Sequence, residues 1–285
     1  MASKKPPQTP QPLAGVNTQA LQQAIVALQS GRLQEAEWLA ADVLKRSPAE
    51  ARALQIFGYA LLRQGKAEDA LAPLAQAARS THDPEIETQY AMALQQAGRS
   101  EEALERLERA LKRRPPFPPA FLVYGSLLAF LERRDEAIAV IKRGLTLTPN
   151  APDLLALLAD NLMIRGDRAG GLAAYRKALA QAPQYGDALF GLGRALQSEG
   201  DFAQAAEMFR RMLAIDPGDA AARIGLGVCL LEISQPAAAF ESLRTASSSS
   251  AKAYGEALTA LSTSRDGRFW LRPSDADRFL RKEKP

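Results

Sequence analysis

Along most of this chain, apolar residues recur at three- and four-residue intervals, in runs separated by short polar breaks. The stretch 186–217 shows the pattern well. Leu192 and Leu196 share one face of a first helix; Phe202, Ala205, Phe209, Met212, Leu213 and Ile215 follow on a second, with Gly200 in the break between them. The same alternation runs from Asn17 to residue 250, so the hydrophobic pattern predicts an all-α chain of paired helices.

The pairs are copies of one another. GDFAQAAEMFRRMLAIDP (200–217) recurs as GRLQEAEWLAADVLKRSP (31–48), GRSEEALERLERALKRRP (98–115) and GDRAGGLAAYRKALAQAP (166–183), with a weaker copy at 132–149. The period is 34 residues, with a slip of one residue before Pro84, and units start at 17, 51, 84, 118, 152, 186 and 220. The eighth position reads Ala24, Gly58, Ala91, Gly125, Ala159, Gly193 and Gly227; the twentieth reads Ala36, Ala70, Ala103, Ala137, Gly171, Ala205 and Ala239. Small residues at both places let two antiparallel helices cross closely. The fifteenth position (Gly31, Gly65, Gly98, Gly166, Gly200) supplies the left-handed residue that ends a helix. Proline at the thirty-second (Pro48, Pro115, Pro149, Pro183, Pro217) stops the second helix, having no amide to donate; His82 and Ala251 are the exceptions.

These columns resemble the tetratricopeptide repeat across residues 17–250. Two family marks are absent: the bulky tryptophan near position four, and the tyrosine at position eleven, which here is mostly leucine (Leu61, Leu128, Leu196, Leu230). The resemblance implies an all-α, right-handed superhelix (an α-solenoid) of about seven helix-turn-helix units plus a C-terminal capping helix. A unit of this kind buries its apolar face only by stacking on its neighbours.

Four segments are expected: a disordered Pro/Gln-rich tail at 1–16, the array at 17–250, a capping helix at 251–264, and a C-terminal segment at 265–285 with a short helix. Ser274 with Asp277 reads as a capping box opening that helix. Phe269, Trp270, Leu271, Phe279 and Leu280 either fold back on the last repeat, the favoured reading, or dock a partner; Phe269 and Trp270 are secondary docking candidates. The serine run 247–250 reads as a flexible joint and RRPPFPP (113–119) as a stiffened turn between units.

Composition narrows the function. Hydrophobic residues make up 47%, charged residues 24% and aromatic residues only 6%, so the core is built of small aliphatics. The net charge of +4 sits at the two ends, which leaves the folded middle near neutral and argues against nucleic acid. The start of the chain has no apolar stretch of signal-peptide length, and no segment is long enough to span a membrane, so a cytoplasmic location is expected. One histidine, His82, and one cysteine, Cys229, cannot form an ordinary His/Cys metal site, and no phosphate loop or nucleophile motif is present. The glycines of GLGRALQSEG (191–200) fall inside a helix and read as packing. No catalytic residue, cofactor or metal is expected, and the chain is read as a non-enzyme.

In the family, the first helix of each unit lines the concave face. The resemblance then places Arg52, Gln55, Tyr59 and Arg63 of unit two in the groove, followed by Glu85, Thr88, Met92 and Gln95, then Phe130, Asp153, Asp160, Asp187, Phe190 and Arg194. Two specialisations are missing. The lysine and asparagine of the carboxylate clamp are replaced by Leu21 and Ile25, or Gln55 and Tyr59. The asparagine ladder of the O-linked N-acetylglucosamine transferase arm, at position six, is replaced by Gln22, Ile56, Gln89, Val123, Leu157, Gly191 and Gly225. The expected role is a scaffold or adaptor holding a peptide or protein partner, with no nucleic acid and no membrane. The alternatives are a recognition arm of, or accessory subunit to, a bacterial transferase or oxygenase, and RNA binding, which the acidic Asp153, Asp160 and Asp187 oppose.

Overall fold

The computed structural model describes residues 13–113, 116–263 and 273–281. Of the tail expected at 1–16, residues 1–12 lie outside the described residues, as do Pro115 of the proline turn, Phe269 and Trp270, while 13–16 are helical. The chain divides into two compact units, Met1–Arg133 and Arg134–Pro285, and the described residues of each form α-helices joined by short turns.

The first unit contains α1 (Leu13–Gln29), α2 (Leu33–Arg46), α3 (Ala51–Arg63), α4 (Ala67–Thr81), α5 (Pro84–Gln96), α6 (Ser100–Leu111) and α7 (Pro118–Phe130). Successive helices pack antiparallel, and odd-numbered helices also touch one another: α1 on α3, α3 on α5, α5 on α7. This gives two layers, an inner one of odd helices and an outer one of even helices. α1 opens at Leu13, ahead of Asn17.

The second unit contains α8 (Arg134–Leu147), α9 (Pro152–Ile164), α10 (Arg168–Gln181), α11 (Gly186–Ser198), α12 (Phe202–Ile215), α13 (Ala220–Glu232), α14 (Pro236–Ser247), α15 (Ala251–Thr263) and α16 (Pro273–Arg281). Here α9, α11, α13 and α15 form the inner layer.

All fourteen residues of the small columns are buried. The reason is steric. A methyl on Gly58 would come within 2.6 Å of Leu74 on α4, and one on Gly227 within 2.6 Å of Leu243 on α14. On Gly171 it would approach the Ala159 carbonyl to 3.2 Å.

Each inner helix from α1 to α13 ends the same way. The amide three residues beyond the helix donates to the carbonyl five residues back, as in Lys66 to Leu61 (3.0 Å) and Arg99 to Leu94 (2.8 Å). That return bond needs a left-handed residue. Gly65 (φ 78°) and Gly98 (φ 77°) supply it, but so do Glu132 (φ 61°) and Ser234 (φ 57°), where no glycine stands. Arg133 to Leu128 (2.9 Å) and Gln235 to Leu230 (2.8 Å) are the corresponding bonds. His82, also left-handed (φ 54°), closes α4 and marks the one-residue slip before Pro84.

The C-terminal end departs from expectation twice. The serines at 247–250 are hydrogen-bonded in place. Ser247, Ser248 and Ser249 each donate to a carbonyl three residues back, and Ser250 Oγ accepts from the Ala253 amide to cap α15. Ser274 lies inside α16, because Pro273 occupies the first turn, a position proline favours. α16 packs across α14. Leu280 is buried with Leu243 and Leu261, Phe279 meets Phe240 edge to face at 5.3 Å, and Arg244 stacks on Phe279 while donating to its carbonyl (2.9 Å).

Candidate peptide-binding surfaces of the inner layer

In the first unit a cavity of about 220 Å3 opens on the inner face of α1, α3 and α5. Its apolar wall is Ile25, Leu28 and Ile56; its polar wall is Arg52, Gln55, Tyr59, Arg63, Glu85 and Gln89, with Gln29 at the edge. The four residues expected from α3 are thus brought together. They converge because positions 52, 55, 59 and 63 follow one stripe of the helix.

A polar chain crosses the floor. Arg52 Nη1 donates to Gln55 Oε1 (2.6 Å), Gln55 Nε2 to Glu85 Oε1 (3.2 Å), and Gln89 Nε2 to the same oxygen (3.1 Å). Two amides therefore hold the Glu85 carboxylate. Gln55 and Gln89 are buried, and Gln89 Oε1 has no partner. Arg52 and Arg63 form no ion pair among the described residues; the Arg63 guanidinium lies 5.9 Å from the Tyr59 ring centre. Thr88 is buried and donates to the Pro84 carbonyl, so it does not line the cavity. Met92 and Gln95 are half-buried further along α5, and Phe130 is 71% exposed at the end of α7.

In the second unit the inner faces of α9 and α11 are acidic. The Tyr175 hydroxyl, reaching from α10, donates to Asp160 Oδ1. Burial among its neighbours raises the Asp160 carboxyl above its ordinary value, and Asp187 adds to this; the bond from Tyr175 and the charge of Arg194 oppose it. Burial likewise raises the Tyr175 hydroxyl, reinforced by Asp160. Tyr185, donating to Asp187 (3.2 Å), is pushed up to about 12 by burial and that carboxylate. Phe190 packs edge to face on Phe209, 5.9 Å between ring centres, and so supports the surface more than it presents one.

Gly191 makes this arrangement possible. A methyl there would stand 2.5 Å from the Tyr175 ring and hydroxyl. Gly225 plays the same part for Phe209, at 2.6 Å. Each glycine is a slot through which an aromatic from the preceding outer helix reaches the inner layer. Sequence reasoning passes over Tyr175 because it considers only first-helix positions; the signal is a glycine at position six, sixteen residues after an aromatic.

Larger cavities lie at the C-terminal end, but their charges are already matched. One, about 750 Å3 between α14, α15 and α16, holds Arg244 and Arg281, which pair with Glu241 and Asp277. His82 and Cys229 occupy structural places. His82 closes α4, and Cys229 is fully buried, its thiol pushed up to about 12 by that burial. No helix among the described residues is long and apolar enough to cross a membrane.

Two family models, each described as a tetratricopeptide repeat, match the chain, one at residues 94–160 and 196–262, the other at 21–84 and 157–220. No curated protein sequence matches. Among solved structures, the "APC/C hetero-tetramer Cut9-Hcn1" superposes with a TM-score of 0.70 at 17% identity, over 84% of this chain and 48% of that one. The chain thus spans about half the length of that relative. TTC0263, a thermophilic TPR protein of Thermus thermophilus, gives a TM-score of 0.55 at 26% identity, over 64% of this chain and 99% of that one. YrrB, described as a TPR protein with an unusual peptide-binding site, gives 0.52 at 23% identity, over 66% of this chain and 96% of that one. The 34-residue step, the buried small columns at the helix crossings, and family matches running from residue 21 to 262 with only 85–93 unmatched lead to one conclusion: the chain belongs to the tetratricopeptide-repeat family.

Proposed function

We propose that this protein is a non-enzymatic interaction scaffold that holds a peptide segment of a partner protein against its inner helices. The observation that carries the reading is the cavity bounded by α1, α3 and α5. It combines an aliphatic wall with two guanidiniums and a phenol, the mix that suits an extended peptide with both apolar and charged side chains. Tetratricopeptide repeats generally mediate protein–protein interaction, and YrrB is described as carrying a peptide-binding site. The inner faces of α9 and α11, with Asp160, Phe190 and Arg194, are a second contact surface in this reading.

The test is affinity purification from native lysate with mass spectrometry, comparing wild type with an Arg52→Ala/Tyr59→Ala/Arg63→Ala variant of unchanged thermal stability. Loss of a specific partner from the variant supports the reading. Partners that all survive the substitutions move the binding site off this cavity, and a wild type that recovers nothing specific overturns the scaffold role.

A further inference from the structure

The charges around the α1–α3–α5 cavity are not balanced, and the imbalance specifies a ligand. Glu85 is the one carboxylate among the described lining residues, and it accepts from the Gln55 and Gln89 amides, not from an arginine. Arg52 makes one bond, to a neutral amide oxygen, and Arg63 lies over the Tyr59 ring. Four other arginines of this unit find acids on their own or a neighbouring helix: Arg32 with Glu35, Arg46 with Asp42, Arg99 with Glu102, Arg106 with Glu87. Two guanidiniums with open donors beside one cavity are an unmet demand for carboxylates, which match the planar fork in two-point contact.

Spacing sets the ligand's form. Arg52 and Arg63 stand at opposite ends of α3, about 16 Å apart along its axis. Each contacts a residue that lies between them, Arg52 bonding to Gln55 and Arg63 lying over Tyr59, which brings the charges to on the order of 10 Å. One carboxylate cannot serve both. An extended strand advances roughly 3.3 Å per residue, so two acids two to four residues apart span the gap. Between the two arginines the cavity's other wall is Ile25, Leu28 and Ile56, where an aliphatic side chain would be sheltered from water.

Resting on the scaffold reading, we infer that this cavity takes an internal segment of a partner protein bearing two acidic side chains two to four residues apart, with an aliphatic residue between them. The acids engage Arg52 and Arg63; the aliphatic side chain enters the Ile25–Leu28–Ile56 wall.

The experiment is selection of random dodecapeptides, displayed with a blocked C-terminus, on the full-length protein. Enriched peptides are then synthesised and titrated by fluorescence anisotropy. Enrichment for a paired-acid pattern is expected. Replacing either acid by its amide, or making Arg52→Gln or Arg63→Gln, is expected to weaken binding roughly tenfold, and raising salt should weaken it further. Both arginines are exposed, so a matching melting temperature shows that the variants are folded. Peptides that bind this cavity without acids, or that keep their affinity in both arginine variants, overturn the acidic preference while leaving the scaffold reading intact. Affinity that requires a free C-terminal carboxylate overturns the internal-segment form. A wild type that enriches no peptide overturns both readings.

Discussion

Replacing Gly191 by alanine sets two effects against each other. In an exposed helix interior this change stabilises by about 0.5–1 kcal/mol, because glycine loses more backbone entropy on folding. At Gly191 the new methyl would lie 2.5 Å from the ring and hydroxyl of Tyr175, a buried side chain that would have to shift to admit it. Overpacking of that kind costs about 1–3 kcal/mol. Displacing the hydroxyl from Asp160 adds roughly 1 kcal/mol or more, since a hydrogen bond to a charged group is lost. The clash wins, and a net destabilisation of about 2 kcal/mol is expected. Gly255→Ala on α15 is the control, because nothing lies within 4 Å of its new methyl; it should stabilise by about 0.5–1 kcal/mol. The assay is urea unfolding followed by circular dichroism, in a double-mutant cycle with Tyr175→Ala. Once the ring is gone, Gly191→Ala should become stabilising, giving a coupling of about 3 kcal/mol between the two positions. If Gly191→Ala and Gly255→Ala behave alike in the wild-type background, the slot account is wrong.

Four further outcomes follow from the geometry. Glu132→Gly relieves a left-handed residue at φ 61° and should stabilise by about 0.5–1 kcal/mol, while Gly98→Ala, at φ 77° with open space around it, should cost about 1 kcal/mol; thermal melts read both. Leu280→Ala empties a buried site beneath α16, at about 2–5 kcal/mol; limited proteolysis should then cut at α16 first, and equal protection in the variant would refute the docking. Cys229, with its thiol near 12, carries roughly a thousandfold less thiolate at pH 8 than a free cysteine; iodoacetamide should label it only in denaturant, and rapid labelling of the folded protein would contradict its burial. Asp160 has a raised pKa when folded, so the folded state holds its proton more tightly than the unfolded one. Its contribution to stability is greatest below the ordinary value near 3.8 and is lost as pH rises through the raised value. Asp160→Asn should therefore gain on wild type as pH rises through that window, by differential melting across pH 3–7; a pH-independent difference would refute the shift.

The repeat was readable because its columns are demands of backbone geometry. Two helices crossing at Gly58 and Ala70, or at Ala159 and Gly171, admit nothing larger, so the residue type discloses the contact. The left-handed helix ends were legible at Gly65 and Gly98 but silent at Glu132 and Ser234, where the return bond closes the same turn without its usual residue. The groove stripe on α3 was legible for the same periodic reason. Which of its members face solvent was not, because that depends on partners from other helices: Gln55 is buried under Arg52 and bonded to Glu85, thirty residues on. Tyr175 was hidden because it enters the inner layer from an outer helix, through a gap that only Gly191 marks. The serines at 247–250 read as a loose joint because hydroxyls suit linkers and helix caps equally; only the carbonyls they meet tell the two apart.

A stack of repeats presents, at each end, the surface on which the next repeat would sit. Left bare, the end formed by α14 and α15 would offer Leu243 and Leu261 to any helix pair of similar shape, including another copy of the same chain. α16 runs across α14 instead of continuing the helix-pair rhythm, and it buries Leu280 against Leu243 and Leu261. Its placement therefore works as a plug: the chain's own short helix keeps water from the apolar residues that α14 and α15 leave uncovered.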